Sequence, residues 1–598
     1  MVYPNLKEEI VAIDIETKES LDISKYGSGA HRHYLDGEDS YILGIAVSVG
    51  KDDYYFPACQ ELIDWLVYIQ DNNLFLMHNS FYDMSWLWYE GFRPQTSADT
   101  MGLVRMLHED RMQYNLDSCA KDFLRVRKGE AELVAWCKEN GLKGKPQTHL
   151  HQMPVELVAK YAKMDTRITL DLYNKLIPQI EQQELEYIWG IECRLLPILW
   201  EMNHQGIRVD EGWRQQASIE LGKEVDELST WLYEKAGRVF NTGSGKQKKE
   251  VFDKLGLSYK VNPPTANVLK KNSAAVGNPS FKGEDMLPYG IEPDMEYFPH
   301  VLVVHNKLQK LKRDFVDRLS DFMVQGRIHP TINPYGTKTG RPSANNPNVF
   351  QIPKRGRGKE ICRRLFLPEI GEVWVSSDVA SEEYRIFAHY ASGPGSDDYR
   401  EKYNTIPDYD MHTTNMELVN RLMGEELCDR PKAKTIGLGV LFGMGKTKMA
   451  SNLGLGERKG LRLVNGFHSA NPSFMHTAKR AQKWAEQYGY MRTLAKRRRR
   501  FPHGEGAYKA LNFLTQGNSA DYAKIIIVEL KERGVLDHMS LLLWVYDSFE
   551  FSVKENNLKE LAPLFELANT VLPLKVKMEL GFEVGKSWGS IKKEEFKL

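Results

Sequence analysis

The sequence predicts a multidomain α/β protein, and three observations support this prediction. At 598 residues the chain is too long for one hydrophobic core, because chains above about 250–300 residues divide into domains. Hydrophobic residues at 42% and charged residues at 27% are typical of folded globular proteins, which argues against a disordered or fibrous class. Short apolar runs typical of strands alternate along the chain with longer amphipathic stretches typical of helices.

Five stretches follow one another along the chain. Residues 1–180 begin with strand-like runs, EEIVAIDIE and YILGIAVSV, and become helical in LVAKYAKMDTRITLDLYNKL. Residues 181–330 are mainly helical, apart from a Pro/Gly/Asn-rich stretch at 261–299 that predicts loops. Residues 331–400 and 501–598 contain strand-like runs, VWVSSDVA and LLLWVYDSFEFSV, and the intervening residues 401–500 are mostly helical.

The charge balance excludes a uniformly basic surface, since Lys plus Arg and Asp plus Glu number 80 each. Nucleic-acid binding would therefore need a local basic patch. The densest basic stretch is Lys496–Arg500, for which a solvated surface and a phosphate contact are equally reasonable interpretations. The six cysteines form no CxxC pair, and the sequence has no signal peptide and no run of about 18 apolar residues, so we expect a reducing, cytoplasmic compartment and no membrane association.

Acidic side chains recur in the first 165 residues at spacings that suit metal binding. Asp14 and Glu16 lie two residues apart on a predicted strand, so both carboxylates face the same side. Asp83 follows Asn79 by four residues, a spacing that predicts one helical face, and Asp165 follows Tyr161 in the same way. Each pair alone is more often structural. Together, the four acids would bind two divalent cations, and Tyr161 would orient an attacking water.

The order and spacing of DxE, NxxxD and YxxxD resemble the three motifs of the DnaQ-like (DEDDy) proofreading exonucleases. This resemblance implies an RNase H-like domain at residues 1–180 that removes nucleotides from a 3′ end. Three unrelated pairs remain the alternative interpretation.

A second set of residues lies in the C-terminal half. Asp378 ends an apolar strand, and a hydrophobic strand delivers Asp547, so the two acids would meet and bind metal. A strand-end acid that caps the following helix is the alternative for Asp378. Pro431 suits the first turn of a helix whose Arg430, Lys434, Leu438 and Phe442 recur every four residues. Two cations on one face suit a polyanion, although a surface helix with scattered basic residues would show the same pattern.

These segments resemble motif A, the fingers helix and motif C of family A DNA polymerases. The resemblance implies that Asp378, the Val379 carbonyl and Asp547 bind metal, that Glu383 blocks a ribose 2′-hydroxyl, and that nucleotide contacts come from Arg430, Lys434, Leu438, Phe442 and His412. Two Mg²⁺ ions are implied per active site, with Mn²⁺ as a substitute. The chain departs from the family at motif C, where Tyr546 and Ser548 replace His and Glu.

Further segments, TGRPSANNPNVFQIP, NFLTQGNSAD, FNTGSGKQ and LQKLKRDF, resemble the DNA-contacting parts of the same family. They imply DNA contacts by Arg341, Asn512, Gln516, Asn241, Ser244, Lys307 and Lys310. The expected architecture is a right-hand polymerase with its thumb at 181–330, palm at 331–400 and 501–598, and fingers at 401–500.

The resemblance also implies a set of partners. It predicts a monomer that binds primer-template DNA and dNTPs, and that works with replisome proteins such as a helicase, a primase and a single-strand binding protein. Because the chain begins at the exonuclease, we expect a phage-type enzyme without a 5′ nuclease.

Two other functions fit parts of the sequence. A single-subunit RNA polymerase would share the palm and fingers, but the exonuclease motifs and Glu383 argue against it. A repair exonuclease with a degenerate, DNA-binding polymerase half would explain Tyr546 and Ser548 as erosion. Against that second interpretation stand Asp378, Asp547 and the two basic residues of the fingers helix.

Overall fold

The computed structural model describes residues 3–19, 23–30, 37–264, 268–269, 272–273, 276–286, 294–424, 426, 428–444 and 457–593. It contains two five-stranded sheets, one in the N-terminal third and one in the C-terminal half, with helices packed around and between them. In this described part of the chain, no helix has the length and apolar character needed to cross a membrane.

The N-terminal sheet has the strand order β3-β2-β1-β4-β5. Its strands are β1 Ile10–Lys18, β2 Tyr41–Val49, β3 Asp52–Pro57, β4 Leu74–Met77 and β5 Ser97–Asp99. The accompanying helices are α1 Gln60–Ile69, α2 Phe81–Leu87, α3 Thr100–Leu107, α4 Leu116–Cys119, α5 Glu130–Glu139 and α6 Val155–Gln182. The central strand β1 pairs antiparallel with β2 and parallel with β4, and α6 packs across β1 and β2.

The predicted strands and the long helix of this part are confirmed, but the helical prediction for Asn79 is wrong. Asn79 precedes α2 and has a φ of 69°, in the left-handed region, so it is not one turn before Asp83 on a helix. The Asp99 carboxylate holds this loop by accepting hydrogen bonds from the backbone amides of Asn79 at 3.1 Å and Ser80 at 2.9 Å.

The middle of the chain is mainly helical, as predicted. It contains α7 Glu186–Gln205, β6 Ile207–Val209, α8 Glu211–Ala236, α9 Gly245–Lys254, β7 Lys260–Asn262, β8 Asn278–Ser280, α10 Gly283–Met286 and α11 Phe298–Lys310. The stretch expected to form loops differs from that prediction, because its described residues include the antiparallel β7–β8 pair and α10.

The C-terminal half surrounds the second sheet, whose order β16-β17-β13-β18-β19 is antiparallel throughout. The strands of this half are β9 Arg327–Ile328, β10 Thr331–Asn333, β11 Ser343–Asn345, β12 Phe366–Leu367, β13 Val373–Val379, β14 Tyr490–Arg492, β15 Arg498–Arg500, β16 Met539–Val545, β17 Ser548–Val553, β18 Leu580–Gly585 and β19 Lys592–Lys593. The helices are α12 Gly356–Arg364, α13 Glu382–Tyr390, α14 Ser396–Thr405, α15 Met411–Met423, α16 Arg430–Leu441, α17 Glu457–Ala470, α18 Pro472–Tyr488, α19 Ala510–Glu532 and α20 Ala562–Thr570.

The basic run at the β14–β15 hairpin is partly buried among acids, which neither interpretation of the sequence anticipated. The Arg497 guanidinium donates to Glu192 of α7 at 2.5 Å and to Asp521 of α19 at 2.6 Å. Lys524 donates to the same Glu192 at 2.5 Å, and the side chains of Glu192, Asp521 and Lys524 are fully buried. Buried charges are tolerated when they are paired and hydrogen-bonded in this way.

The next arginines of the run reach the N-terminal part of the chain. Arg499 pairs with Asp110 at 2.6 Å, and Arg500 pairs with Glu109 at 2.5 Å. The run therefore joins the two halves of the molecule. For Arg497, Arg499 and Arg500 both a solvated surface and a phosphate contact are wrong, because their partners are carboxylates of this chain.

Candidate active sites

The first candidate site lies where β1, α2 and α6 meet. Asp14 and Glu16 project from the same face of β1, Asp83 comes from α2, and Asp165 comes from α6. The backbone amide of Ile15 donates to Asp83 at 3.2 Å, which ties α2 to the strand that carries the first two acids. The structure thus brings together the four predicted acids.

The electrostatics of this site confirm that the acids are close to one another. Burial and the Asp165 carboxylate raise the pKa of Asp14 to about 7. Burial raises the pKa of Glu16 well above its usual value, as do the charges of Asp14 and Asp165. Burial and then Asp14 do the same for Asp83. Carboxylates that raise one another's pKa in this way attract cations strongly.

Lys128 is a member of this site that the sequence analysis missed. Its ammonium group forms an ion pair with Asp165, donates to the Tyr161 hydroxyl at 3.1 Å and lies 5.2 Å from the centre of the Tyr161 ring. The residue lies in the loop before α5, within RVRKGE, where three of six residues are basic. Nothing in that stretch distinguishes Lys128 from its neighbours, so the sequence carried no usable signal.

The donor set at this site fits a hard divalent cation such as Mg²⁺ or Mn²⁺, which prefers carboxylate oxygens. Glu16 Oε1 and Asp165 Oδ1 are buried without a hydrogen-bond partner, and such orphaned oxygens are what a metal would satisfy. Among the described residues, however, no three His, Cys, Asp or Glu side chains already surround one point. Lys128 holds the other Asp165 oxygen, so metal binding there requires that contact to open.

The second candidate site is a cleft of about 720 Å³ between the C-terminal sheet and α16. Most of the predicted catalytic and nucleotide-contacting residues line it, namely Arg341, Asp378, Val379, Glu383, His412, Arg430, Lys434, Leu438 and Asp547. Phe442 is not among the lining residues, since it follows the last residue of α16 and packs half-buried against the neighbouring helical core.

Strand pairing brings the two acids of the cleft together. Asp378 lies opposite Ser548 in the β13–β17 register, and the Val379 amide donates to the Asp547 carbonyl at 3.2 Å. The sequence suggested that Asp547 lies within a strand. The structure instead places it in the two-residue turn between β16 and β17. Tyr546 forms the other half of this turn with a φ of 60°, and its carbonyl accepts a hydrogen bond from the Trp544 indole at 2.9 Å.

Burial raises the pKa of Asp378, and the nearby carboxylates of Asp547 and Glu583 raise it further. Gly581, on the opposite strand, has no side chain and so leaves space for Asp378. A Cβ atom at this position would lie only 2.7 Å from the Asp378 Oδ1 atom. The cleft therefore contains a crowded group of acids, which suits cation binding for the same reasons as the first site.

The α16 side of the cleft is basic. Asp429 caps the helix by accepting from the Lys432 amide at 2.8 Å, and the helix presents Arg430, Lys434 and Leu438 to the cleft. Arg430 is held by Asp410 at 2.6 Å. These predicted positions, on one helical face, are confirmed.

His412 also lines the cleft but is itself buried. Burial lowers its pKa to about 4, with Lys434 adding to the effect, so the ring is neutral at physiological pH. Without a bound anion, the ring therefore offers a hydrogen bond rather than a positive charge. The Nδ1 atom has no partner and is available for such a bond.

Three further glutamates of the C-terminal sheet region were missed. Glu382 lines the cleft and accepts from the Ser519 hydroxyl at 2.6 Å, and burial together with Asp547 raises its pKa to about 8. Glu583 of β18 also lines the cleft. Glu550 of β17 is buried behind Ser548. For Glu550 and Glu583 the alternation in FEFSV and GFEVG was a usable signal, because it places each acid on a definite face of its strand.

The predicted DNA contacts are spread over a loop and three helices. Arg341 lines the cleft and donates to Glu383 at 3.2 Å. Two positions, Asn512 and Gln516, lie half-buried on α19, and the Asn512 Oδ1 atom has no partner. The others lie around α9 and α11: Asn241 and Ser244 make local turn and cap contacts, while Lys307 and Lys310 are exposed in the last turn of α11.

Comparison with known proteins adds family relationships. The sequence profile described as DNA polymerase family A matches residues 212–590, and the profile described as 3′-5′ exonuclease matches residues 2–181. The chain is 28% identical over 625 residues to DNA polymerase DpoZ of Vibrio phage phiVC8, covering 96% of this chain and 97% of that protein. It is 28% identical over 668 residues to a DNA-directed DNA polymerase of Pseudomonas phage M6, covering 97% and 94% respectively.

A solved structure shares the fold. The structure described as the POL domain of Pol1 from M. smegmatis, in complex with DNA primer-template and dNTP, superposes with a TM-score of 0.77 at 21% identity. The match covers 97% of this chain and 96% of that one, so the whole architecture corresponds.

Proposed function

Because this chain belongs to DNA polymerase family A and carries a 3′-5′ exonuclease domain, we propose that it extends primers along a DNA template and proofreads them at the first candidate site. One observation supports this most strongly. Asp378 and Asp547 meet on one side of a cleft whose other side presents Arg430 and Lys434. Acids opposite bases are what a metal-assisted reaction of a triphosphate requires.

At the cleft, Asp378, Asp547 and the Val379 carbonyl would hold divalent cations, Mg²⁺ or Mn²⁺. Two such ions, when bound, supply the Lewis acidity that activates the primer 3′-hydroxyl and stabilises the pyrophosphate leaving group. Arg430 and Lys434 would bind the triphosphate and offset its charge. His412 would donate one hydrogen bond to a phosphate oxygen.

Sugar and primer recognition would come from the cleft residues between the two charged sides. Glu383 is fixed by Arg341 at 3.2 Å, which would hold its side chain where a ribose 2′-hydroxyl would have to fit. Primer-template DNA would lie along the surface that includes Asn512, Gln516, Lys307 and Lys310. Because these contacts would be to phosphates and to atoms common to all base pairs, binding should be independent of sequence and sensitive to salt.

At the first site, Asp14, Glu16, Asp83 and Asp165 would hold the cations, and the Tyr161 hydroxyl would orient the attacking water. The Tyr161 hydroxyl accepts a hydrogen bond from Lys128 and interacts with the Asp165 carboxylate, which fixes it beside the acids. The product of this site would be a shortened primer that returns to the cleft.

A single gel assay tests the proposal. A labelled primer-template is incubated with the protein and Mg²⁺, with and without dNTPs, and expected results are extension with dNTPs and 3′ degradation without them. Degradation alone would instead support the repair exonuclease with an inactive polymerase half, and extension with rNTPs but not dNTPs would support an RNA polymerase. The absence of both extension and degradation would refute the proposal.

A further inference from the structure

Glu550 is an unusual residue for the middle of a sheet. It belongs to β17, its exposed fraction is 1%, and its hydrogen-bond partners are three neutral donors. The Trp374 indole donates to Oε2 at 2.7 Å, and Ser376 Oγ donates to Oε1 at 3.1 Å. A buried carboxylate is costly even when it is hydrogen-bonded, so an apolar residue would suit stability better at this position.

The third donor connects Glu550 to the residue beside Asp547, and Asp547 lines the cleft. Ser548 Oγ donates to Glu550 Oε1 at 2.6 Å. Ser548 is the residue directly after Asp547 and lies opposite Asp378 in the β13–β17 register. Because side chains two apart on a strand share a face, Glu550 lies one position behind Ser548 in the same row.

We infer that Glu550 is a positioning residue for primer extension, which acts on the cleft through the Ser548 hydroxyl. A hydroxyl that has donated its proton to a carboxylate can only accept hydrogen bonds in its remaining directions. The pair therefore presents a fixed, electron-rich acceptor between Asp547 and Asp378. It would orient a water or another proton donor beside the two acids when substrates bind.

The inference rests on the proposed polymerase function, and it gives the departure at Ser548 a physical meaning. The family resemblance predicts a glutamate at position 548, and this chain has its carboxylate two residues further along the same row. The hydroxyl of Ser548 bridges the difference in distance.

The test compares two single variants and their combination. Glu550→Gln removes the charge, and Ser548→Ala removes the link while leaving Glu550 with Trp374 and Ser376. We expect each to lower kcat for primer extension at least about tenfold with KM for dNTP unchanged, and the double variant to lose no more than either single one. Ser548→Thr, which keeps a hydroxyl, should retain most of the activity.

Two controls separate positioning from folding. Exonuclease activity of the same chain should stay within about twofold in every variant, because the acids of the first site belong to β1, α2 and α6 and not to this sheet. Ser552→Ala removes another buried hydroxyl from the same face of β17, one that donates to Glu372 at 2.6 Å, and should leave kcat unchanged.

The outcomes are decisive in either direction. Recovery of kcat by Ser548→Glu combined with Glu550→Val, relative to Glu550→Val alone, would support a relocated carboxylate. A Ser548→Ala variant with wild-type kcat would overturn the inference, and would leave Glu550 as a structural residue of the sheet. If the wild-type protein does not extend primers, the proposed function fails first, and the two failures are therefore distinguishable.

Discussion

Both candidate sites bring carboxylates together, but the charged residues around those carboxylates are arranged differently. At the N-terminal site the four acids are balanced by one cation, Lys128, which lies among them and contacts Asp165. At the cleft, which has a volume of about 720 Å³, Asp378 and Asp547 lie on the sheet side and the cations Arg430 and Lys434 on the helix side, where Asp410 pairs with Arg430. On the proposed function, the first arrangement would accommodate a single terminal phosphodiester and the second a triphosphate.

Because of this difference, we expect the two sites to select their substrates in different ways. On the proposed function, Arg430 and Lys434 would bind the phosphates of the nucleotide apart from Asp378 and Asp547, before the reacting atoms are aligned. At the N-terminal site, among the described residues, the four acids form an ion pair with Lys128 alone, so a bound metal ion would compete with Lys128 for the Asp165 oxygens. Variants that disable one site should therefore leave the other intact.

The largest expected effect comes from the acids of the cleft. Asp378→Asn or Asp547→Asn should lower primer extension by at least about a thousandfold, because each removes a negatively charged ligand from the reacting centre. Single-strand degradation, measured on the same preparation, should remain near the wild-type rate. Near-normal extension by either variant would show that these acids are not the polymerase site.

The corresponding variant at the N-terminal site should lose degradation while keeping primer extension. Asp14→Ala combined with Glu16→Ala should reduce 3′-to-5′ degradation by about a hundredfold or more, since two of four acids are lost. Correct extension should keep its rate while misincorporated ends accumulate, which sequencing of the products measures. Persistent degradation would mean that the acids on β1 are structural.

Much of both sites could be predicted from the sequence, because the relevant patterns are local. Two-residue spacing on β1 and four-residue spacing on α6 and α16 gave the correct faces, and Asp378 was correctly placed at a strand end. The turn at Tyr546 and Asp547 was missed, since it contains no glycine, asparagine or proline and places a tyrosine in the left-handed region.

What could not be predicted depends on contacts between distant segments. Lys128 reaches the acids from a loop, and Glu550 accepts hydrogen bonds from Trp374 and Ser376 of the neighbouring strand β13. The basic run looked available for DNA because its partners, among them Glu192 and Glu109, lie hundreds of residues away in the sequence. Composition and periodicity contain no information about such pairings.

An intermediate effect is expected at the sugar end of the cleft. Leu438 lines the cleft one turn beyond Lys434, and it offers neither a hydroxyl nor an aromatic face. Leu438→Tyr should increase the use of dideoxynucleotides relative to deoxynucleotides about tenfold, which corresponds to one hydrogen bond of about 1.4 kcal/mol.

The ratio should be measured in the Asp14→Ala, Glu16→Ala background, so that excision does not remove the terminators. Leu438→Phe is the matched control, because it adds the ring without the hydroxyl. Equal ratios for the tyrosine variant and the wild type would show that this side chain does not reach the sugar.

The smallest effect should come from Lys128, and it tests the difference between the sites directly. Lys128→Met keeps the length of the side chain but removes the cation that contacts Asp165. Without metal, the variant should be less stable, because the Asp165 carboxylate is left buried with fewer partners. With metal, the same oxygens are free, so Mg²⁺ should bind about three to five times more tightly.

The measurement is the increase in Tm across a Mg²⁺ titration, which reports binding without relying on activity. To confine the titration to the N-terminal site, it should be made in a background with Asp378→Asn and Asp547→Asn. Lys160→Met is the control, since Lys160 forms an exposed ion pair with Glu132 in the same part of the chain. An unchanged half-saturating Mg²⁺ concentration would show that Lys128 does not compete with the cation, and that its role is confined to Tyr161.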